Sequence, residues 1–158
     1  MKWEGVIPAI TTPFRDDLSV DLAFLKRHVE VLVQAGCTGV VALGSLGEGG
    51  TLSDEEKGAV LRTAHEGLAG RAPLLAGVAS LSTAGAVALA KSAEAAGCAG
   101  LMVLPPYVYK GDWRETKAHF RAVIGATPLP CMLYNNPIAY ATDVLPEQLE
   151  ELCRDLPN

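Results

Sequence analysis

The sequence predicts a parallel α/β fold, and three observations carry that reading. Apolar runs and amphipathic stretches alternate along the chain with a period of about 30 residues, the length of one strand plus one helix. The apolar runs are continuous, as in strands buried on both faces of a parallel sheet. The chain also repeats itself: "AGCTGVVALG" (Ala35 to Gly44) is echoed by "AGCAGLMVLP" (Ala96 to Pro105). In each copy a helical pattern stops at Ala-Gly and a strand-like run follows. Gly36 and Gly97 therefore stand where a helix places a left-handed residue just past its last turn. Gly70, in "LAGRAPLLAGVAS", provides a similar stop between them.

Strands are expected at Val6 to Ile10, Val40 to Leu43, Leu74 to Val78, Leu101 to Leu104 and Cys131 to Tyr134. The first helix carries the stripe Leu22, Leu25, Val29, Leu32 and Val33, and the second the stripe Val60, Leu61, Ala64 and Leu68. Ser53 followed by Glu56 is the capping-box pattern that opens the second helix. A third helix is expected over Thr83 to Ala96, a fourth over Trp113 to Ile124 and a fifth over Pro146 to Cys153. By count, five strands and five helices suit a doubly wound sheet. A complete barrel takes eight units and about 250 residues. Length favours the sheet; the motifs below favour the barrel.

The 158 residues suffice for one domain with a real core, and residues 1–158 read as a single domain. Half the residues are apolar and the net charge is -5 with no basic cluster, which argues against binding nucleic acid. No stretch reaches the roughly 18 apolar residues of a membrane span, and "MKWEGVIPAITTPF" does not read as a signal peptide. A cytoplasmic protein is expected. Cys37, Cys98, Cys131 and Cys153 are far apart and form no CxxC pair, so reduced, buried, apolar fillers are expected. His28, His65 and His119 stand singly in helical patterns. No metal and no cofactor are implied.

Chemistry in such folds gathers where strands end. Four of these ends carry unusual sequence: "TTPF" (Thr11 to Phe14), "GSLGEGG" (Gly44 to Gly50), "PPYVYKGDW" (Pro105 to Trp113) and "YNNP" (Tyr134 to Pro137). The glycine loop is no P-loop, because no Gly-Lys-Ser/Thr follows, and its glycines do not fit GxGxxG. Glu48 would repel a phosphate. Free backbone N–H groups beside one hydroxyl, Ser45, suit a small carboxylate better. The plainer reading is a turn that lets strand and helix pack. Tyr134 is either a core residue with its hydroxyl at the surface or a proton relay held against another hydroxyl. Ser45 and Tyr134 would face the same end of a barrel.

Five segments, "GVIPAITTPF", "GSLGE", "APLLAGV", "LMVLPPY" and "CMLYNNP", together resemble the dihydrodipicolinate synthase and N-acetylneuraminate lyase family, in order over the whole chain. The resemblance implies a (β/α)8 TIM barrel, homo-oligomers (dimers or tetramers), and aldolase or lyase chemistry on pyruvate or a related 2-keto acid through a lysine Schiff base. It implies that Gly44, Ser45 and Leu46 hold the keto-acid carboxylate, with Gly47 and Glu48 supporting the loop. Tyr134 would be the proton donor and acceptor, with Ser45 beside it.

The sequence departs from the family pattern. The synthase has threonine where Leu46 stands, tyrosine where Val108 stands (Tyr109 lies one step off) and an arginine near Ala139. These losses point toward a different partner, such as a hydroxylated pyrroline carboxylate or a sugar acid that is deaminated or dehydrated. The family's Schiff-base lysine closes the sixth strand. None of Lys2, Lys26, Lys57, Lys91, Lys110 and Lys117 fits that position. The chain reads as about the first five βα units of the barrel, ending before that lysine and inactive alone. Two other readings are a non-catalytic half-barrel and a small-carboxylate binding module.

Overall fold

A computed structural model describes residues 1–106 and 108–158. Among these, four strands, β1 (Val40–Ala42), β2 (Leu74–Val78), β3 (Gly100–Val103) and β4 (Cys131–Leu133), alternate with helices. The helices are α1 (Leu22–Gln34), α2 (Asp54–Leu68), α3 (Thr83–Ala95), α4 (Trp113–Ile124), α5 (Pro137–Tyr140) and α6 (Pro146–Asp155). The sheet is parallel throughout and its order is β1-β2-β3-β4. A doubly wound sheet reverses its strand order at a switch point. Here each strand lies beside the next in sequence, as in a barrel wall, so the doubly wound arrangement that length favoured is not the one adopted.

The expected first strand, Val6 to Ile10, does not form as a full strand. It runs parallel to β1, but only Ala9 makes a bridge, to Val41. The bonds are Thr38 N to the Val6 carbonyl (2.9 Å), Val41 N to the Pro8 carbonyl (2.8 Å) and Ile10 N to the Val41 carbonyl (2.9 Å). Pro8 can accept from the ladder but has no N–H to donate, which leaves the pairing too sparse to extend.

Both copies of the Ala-Gly-Cys repeat close a helix in the same way. Gly36 and Gly97 have φ of +94° and +85°. Gly36 N bonds the Val33 carbonyl and Cys37 N the Leu32 carbonyl; Gly97 N bonds the Glu94 carbonyl and Cys98 N the Ala93 carbonyl. This paired pattern uses up carbonyls that the last helical turn leaves open. Helix starts are equally well made. Ser53 and Glu56 bond each other's backbone at α2, and Asp112 and Glu115 repeat the device at α4. Helix α6 is tied to α4: Trp113 Nε1 donates to Glu151 Oε2 (2.8 Å), Lys117 pairs with Glu151 and Arg121 pairs with Asp155.

The sheet divides the apolar side chains by parity, because successive residues of a strand point to opposite faces. Val40, Ala42, Leu74, Ala76, Val78, Leu101 and Val103 join the helices in the larger core. Val41, Leu75, Met102 and Leu104 form a second cluster, with Ala79, against which Ile7, Tyr134 and Tyr140 pack. In a barrel this second face is the interior. β1, β2 and β3 are fully buried, whereas β4 is only partly covered.

The cysteines depart in part from expectation. All four are unpaired, but only Cys98 is buried; Cys37 and Cys131 are half-buried and Cys153 is exposed. Burial pushes the Cys98 thiol up to about 12 and the Cys131 thiol up to about 11. Both stay protonated at neutral pH and behave as apolar fillers.

His119 is buried on α4. Its Nδ1 lies 3.0 Å from Thr83 Oγ1, and its ring also bonds the Leu104 backbone. Desolvation holds its pKa below the usual 6.5. As pH falls below 6.5 the unfolded chain takes up a proton that the folded chain resists, so stability is lost toward the depressed folded value. Urea midpoints should therefore drop as pH falls from about 7 through about 6.5 and below. His119→Gln should flatten that part of the profile; an unchanged slope in the variant would refute the assignment.

Candidate active site at the strand ends

The loop after β1 begins with a break in strand parity. Alternation would turn Leu43 into the interior, but its φ is +62° and its side chain joins the helix-side core instead. Gly44 then continues extended, and Ser45–Gly47 make one 3-10 turn closed by Glu48 at φ +54°. Gly49 N turns back onto the Gly44 carbonyl at 3.3 Å. This return brings the loop onto its own strand end. A Cβ on Gly49 would lie 2.2 Å from the Leu43 carbonyl oxygen, and one on Gly77 of β2 would lie 2.7 Å from the same oxygen. Glycine is required at both positions because backbone occupies the space.

Two further bonds pin the loop. Buried Thr12, from "TTPF", donates its hydroxyl to the Gly47 carbonyl at 2.6 Å. Glu48 supports the loop through its own carbonyl, which accepts from both the N–H and the hydroxyl of Thr51, each at 2.9 Å. The first N–H groups of a 3-10 turn, here those of Ser45 and Leu46, have no partner within the turn. The Leu46 side chain is 75% exposed, so this residue can offer a ligand at the loop its amide rather than a packed side chain. A cleft of about 150 Å³ is lined by Leu43, Gly44, Ser45, Glu48, Gly50, Thr51 and Ala79.

The "YNNP" segment continues from the end of β4. Tyr134 N donates to the Val103 carbonyl at 2.8 Å, so Tyr134 extends β4 and points into the interior beside Met102 and Leu104. Asn135 turns outward. Its side chain bonds Asp143 Oδ1 (2.9 Å) and both backbone groups of Val144 (3.2 and 3.0 Å), which fastens the returning chain. Asn136 caps α5 by accepting from Ala139 N (3.2 Å), and its Nδ2 lies 3.4 Å from Tyr134 Oη. Pro137 at the first helical position has a suitable φ and lacks only an N–H that would be idle there.

The hydroxyl that Ser45 meets belongs to Tyr140, the last residue of α5, and not to Tyr134, its expected companion. The Ser45 and Tyr140 hydroxyls are hydrogen-bonded to each other. The Tyr140 ring stands edge-on to Tyr134, centroids 6.2 Å apart and planes at 68°. Ser45, Tyr140 and Tyr134 thus form one cluster. Sequence reasoning overlooked Tyr140. The available signal was Asn-Pro, which opens a single helical turn and folds the following residues back over the strand end.

The other singled-out positions lie apart. Val108 is exposed, with φ +72°. Tyr109 donates to Glu115 Oε2 at 3.1 Å, and that carboxylate pushes its phenol upward from the ordinary value. Tyr107, which closes "LMVLPPY", lies outside the described residues. Two larger clefts, about 260 and 280 Å³, flank the start of α4 and include neither Ser45 nor Tyr134. Among the described residues, no cluster of three His, Cys, Asp or Glu side chains could hold a metal ion, and no helix is long and apolar enough to cross a membrane.

A run of neighbouring parallel βα units, with its unusual loops at the carboxyl ends of the strands, is the architecture of a TIM-barrel enzyme. The chain comprises the first part of such a barrel. It belongs to the dihydrodipicolinate synthetase family, whose profile matches residues 2–158. It is similar to the 4-hydroxy-tetrahydrodipicolinate synthase of Desulforamulus reducens, with 39% identity over 153 residues, covering 97% of this chain and 52% of that one. Among solved structures, a dihydrodipicolinate synthetase described as putative, from Pseudomonas aeruginosa, superposes with a TM-score of 0.94 at 37% identity, covering 99% of this chain and 54% of that one. A prophage protein of the dihydrodipicolinic acid synthase family from E. coli K12, solved in complex with pyruvate, superposes with a TM-score of 0.93 at 30% identity, covering 98% and 52%. The chain spans about half the length of the curated relatives it matches.

The loop geometry yields a stability prediction. Thr12→Val keeps the side-chain shape but leaves the Gly47 carbonyl without its donor, which should cost about 1–3 kcal/mol. Gly49→Ala forces Cβ against the Leu43 carbonyl and should cost at least as much. Chemical denaturation of both variants checks this. A Gly49→Ala chain as stable as the parent would mean the loop does not close on its strand as described.

Proposed function

We propose that this chain supplies the carboxylate-binding and proton-handling part of a 2-keto-acid lyase or aldolase that works through a lysine Schiff base. The observation that carries the reading is the convergence of Ser45, on the glycine loop, with the Tyr134–Tyr140 pair at one end of the sheet. In such a reaction an amine adds to the keto carbon of pyruvate, water leaves, and an imine remains. The loop amides and the Ser45 hydroxyl suit the acid's carboxylate. Tyr134 suits the proton traffic, giving a proton to the departing oxygen and taking one back in a later step. Membership of the family, and a pyruvate complex in one similar structure, support this assignment.

The nucleophile is not among this chain's lysines in this reading. Lys26 pairs with Glu66, Lys57 with Asp54 and Lys117 with Glu151, all on the helical layer. Lys91 lies on α3 and Lys110 precedes α4. The amine would come from the remaining barrel wall, in a protein of the relatives' length. The reading carries with it a cytoplasmic enzyme assembled as a dimer or tetramer.

A second substrate reading has its own support. Ile138 is 99% exposed and Ala139 is exposed beside it, so this part of the site presents apolar surface without a cation. The second partner is then better matched by a hydroxylated pyrroline carboxylate or a sugar acid than by a partner that needs an arginine for a second carboxylate.

Pyruvate with borohydride, followed by intact mass, tests the nucleophile. The 158-residue chain should gain no stoichiometric adduct, whereas the complete gene product should gain one on a lysine absent here. An adduct on any of the six lysines of this chain would overturn the assignment. Lack of an adduct on the complete product would favour a non-catalytic half-barrel or a carboxylate-binding module. In the complete product, Tyr134→Phe should slow imine formation by roughly 100-fold or more. An unchanged rate would return Tyr134 to a packing role.

A further inference from the structure

We propose that Tyr140 is a positioning residue of this site: its phenol orients the Ser45 hydroxyl so that the serine proton is presented to the substrate carboxylate. The inference rests on the 2-keto-acid reading above.

Ser45 is exposed on its 3-10 turn, and a serine hydroxyl rotates to suit whatever surrounds it. Its bond to Tyr140, 95 positions away in sequence, removes that freedom. The direction of the bond follows from the ligand. A hydroxyl has one proton and two lone pairs, and an ionised carboxylate can only accept. With a carboxylate at the loop, Ser45 must donate to it, so its oxygen is left to accept from Tyr140. The chain then runs from Tyr140 O–H to Ser45 O–H to carboxylate. Each bond polarises the next, and the last, to a charged acceptor, is the strongest.

The rest of the structure holds Tyr140 for this task. Its N–H bonds the Asn136 carbonyl at 3.0 Å, and the turn ends at Ala141 with φ +54°. Asn135 fastens the chain that follows. The ring lies edge-on to Tyr134 and packs on the interior cluster of Val41, Leu75, Met102 and Leu104. The phenol is thus ordered before any ligand arrives, which lowers the entropy cost of binding. Asn136 also couples the two phenols, because it caps the turn that carries Tyr140 and its amide faces Tyr134 Oη.

Tyr140→Phe keeps the ring and its packing and removes only the hydroxyl. Calorimetric titration of the complete gene product with pyruvate, for the parent, Tyr140→Phe, Ser45→Ala and the double variant, tests the proposal. Tyr140→Phe should weaken pyruvate binding about two- to tenfold, the worth of one hydrogen bond, with the thermal midpoint unchanged. The double variant should bind no more weakly than Ser45→Ala alone, because Tyr140 acts only through Ser45. A purely structural role would lower the midpoint and leave the two losses multiplicative. Equal binding by parent and Tyr140→Phe, or multiplying losses, overturns the inference alone. A parent that binds no pyruvate overturns the 2-keto-acid reading and this inference with it. A ligand-free readout stands beside these. With tyrosine labelled at the ring carbon bearing oxygen, the Tyr140 resonance should move in Ser45→Ala, and a stationary resonance overturns the proposal.

Discussion

The site depends on how closely the loop approaches the carbonyl of Leu43. Two glycines from different elements, Gly49 of the loop and Gly77 of β2, pack against that oxygen where no side chain could fit. Steric exclusion of this kind is stiff, because the opposing atom is backbone and cannot rotate away. It obliges the chain leaving β1 to fold back at once. That return lifts Ser45 onto a 3-10 turn at the strand end instead of letting it run into α2. The left-handed conformation of Leu43 belongs to the same arrangement: it sends a large side chain to the helix layer and leaves the interior side open. A left-handed leucine costs free energy, and its complete burial helps to offset that cost.

The second organising feature is the division of the sheet into two unequal faces. The helix face is closed and dry, filled by the strand residues of one parity and by the stripes of α1 to α4. The interior face has only a small apolar cluster, finished at one end by two tyrosine rings. A tyrosine suits that boundary because its ring packs on the cluster while its hydroxyl remains at the edge. Both phenols therefore reach the strand ends without leaving a buried polar atom unsatisfied. Among the described residues, no buried side-chain nitrogen or oxygen lacks a partner.

Several of the cations lie on the helices, away from Ser45 and the tyrosine pair, while Glu48 lines the cleft at the loop. The cations Lys26, Lys57, Lys117, Arg121 and Arg154 are engaged in ion pairs on the helices, and Tyr109 is turned toward Glu115. The cluster at the strand ends is made of neutral hydroxyls beside a loop with backbone donors. Neutral donors hold a small carboxylate by directed hydrogen bonds rather than by long-range attraction. The single acid of the loop, Glu48, contributes through its backbone.

The sequence by itself determined the βα alternation, the helix stops at Gly36 and Gly97, the capping box at Ser53 and the unusual loops at the strand ends. Each is a local rule read within a few residues: a period, a left-handed position, a side chain that reaches its own backbone. It also singled out Ser45 and Tyr134, because both sit at the ends of apolar runs. Tertiary structure decided what local rules cannot. Strand order separated a barrel wall from a doubly wound sheet that uses the same units. Pro8 could be seen to thin the first pairing only once its neighbour was known to be β1. The partner of Ser45 was hidden for the same reason. Tyr140 lies 95 positions away, beyond a helical turn whose direction depends on its cap and on the ring it packs against. A contact over that distance is made by the packing of the whole sheet, and no periodicity in the chain records it.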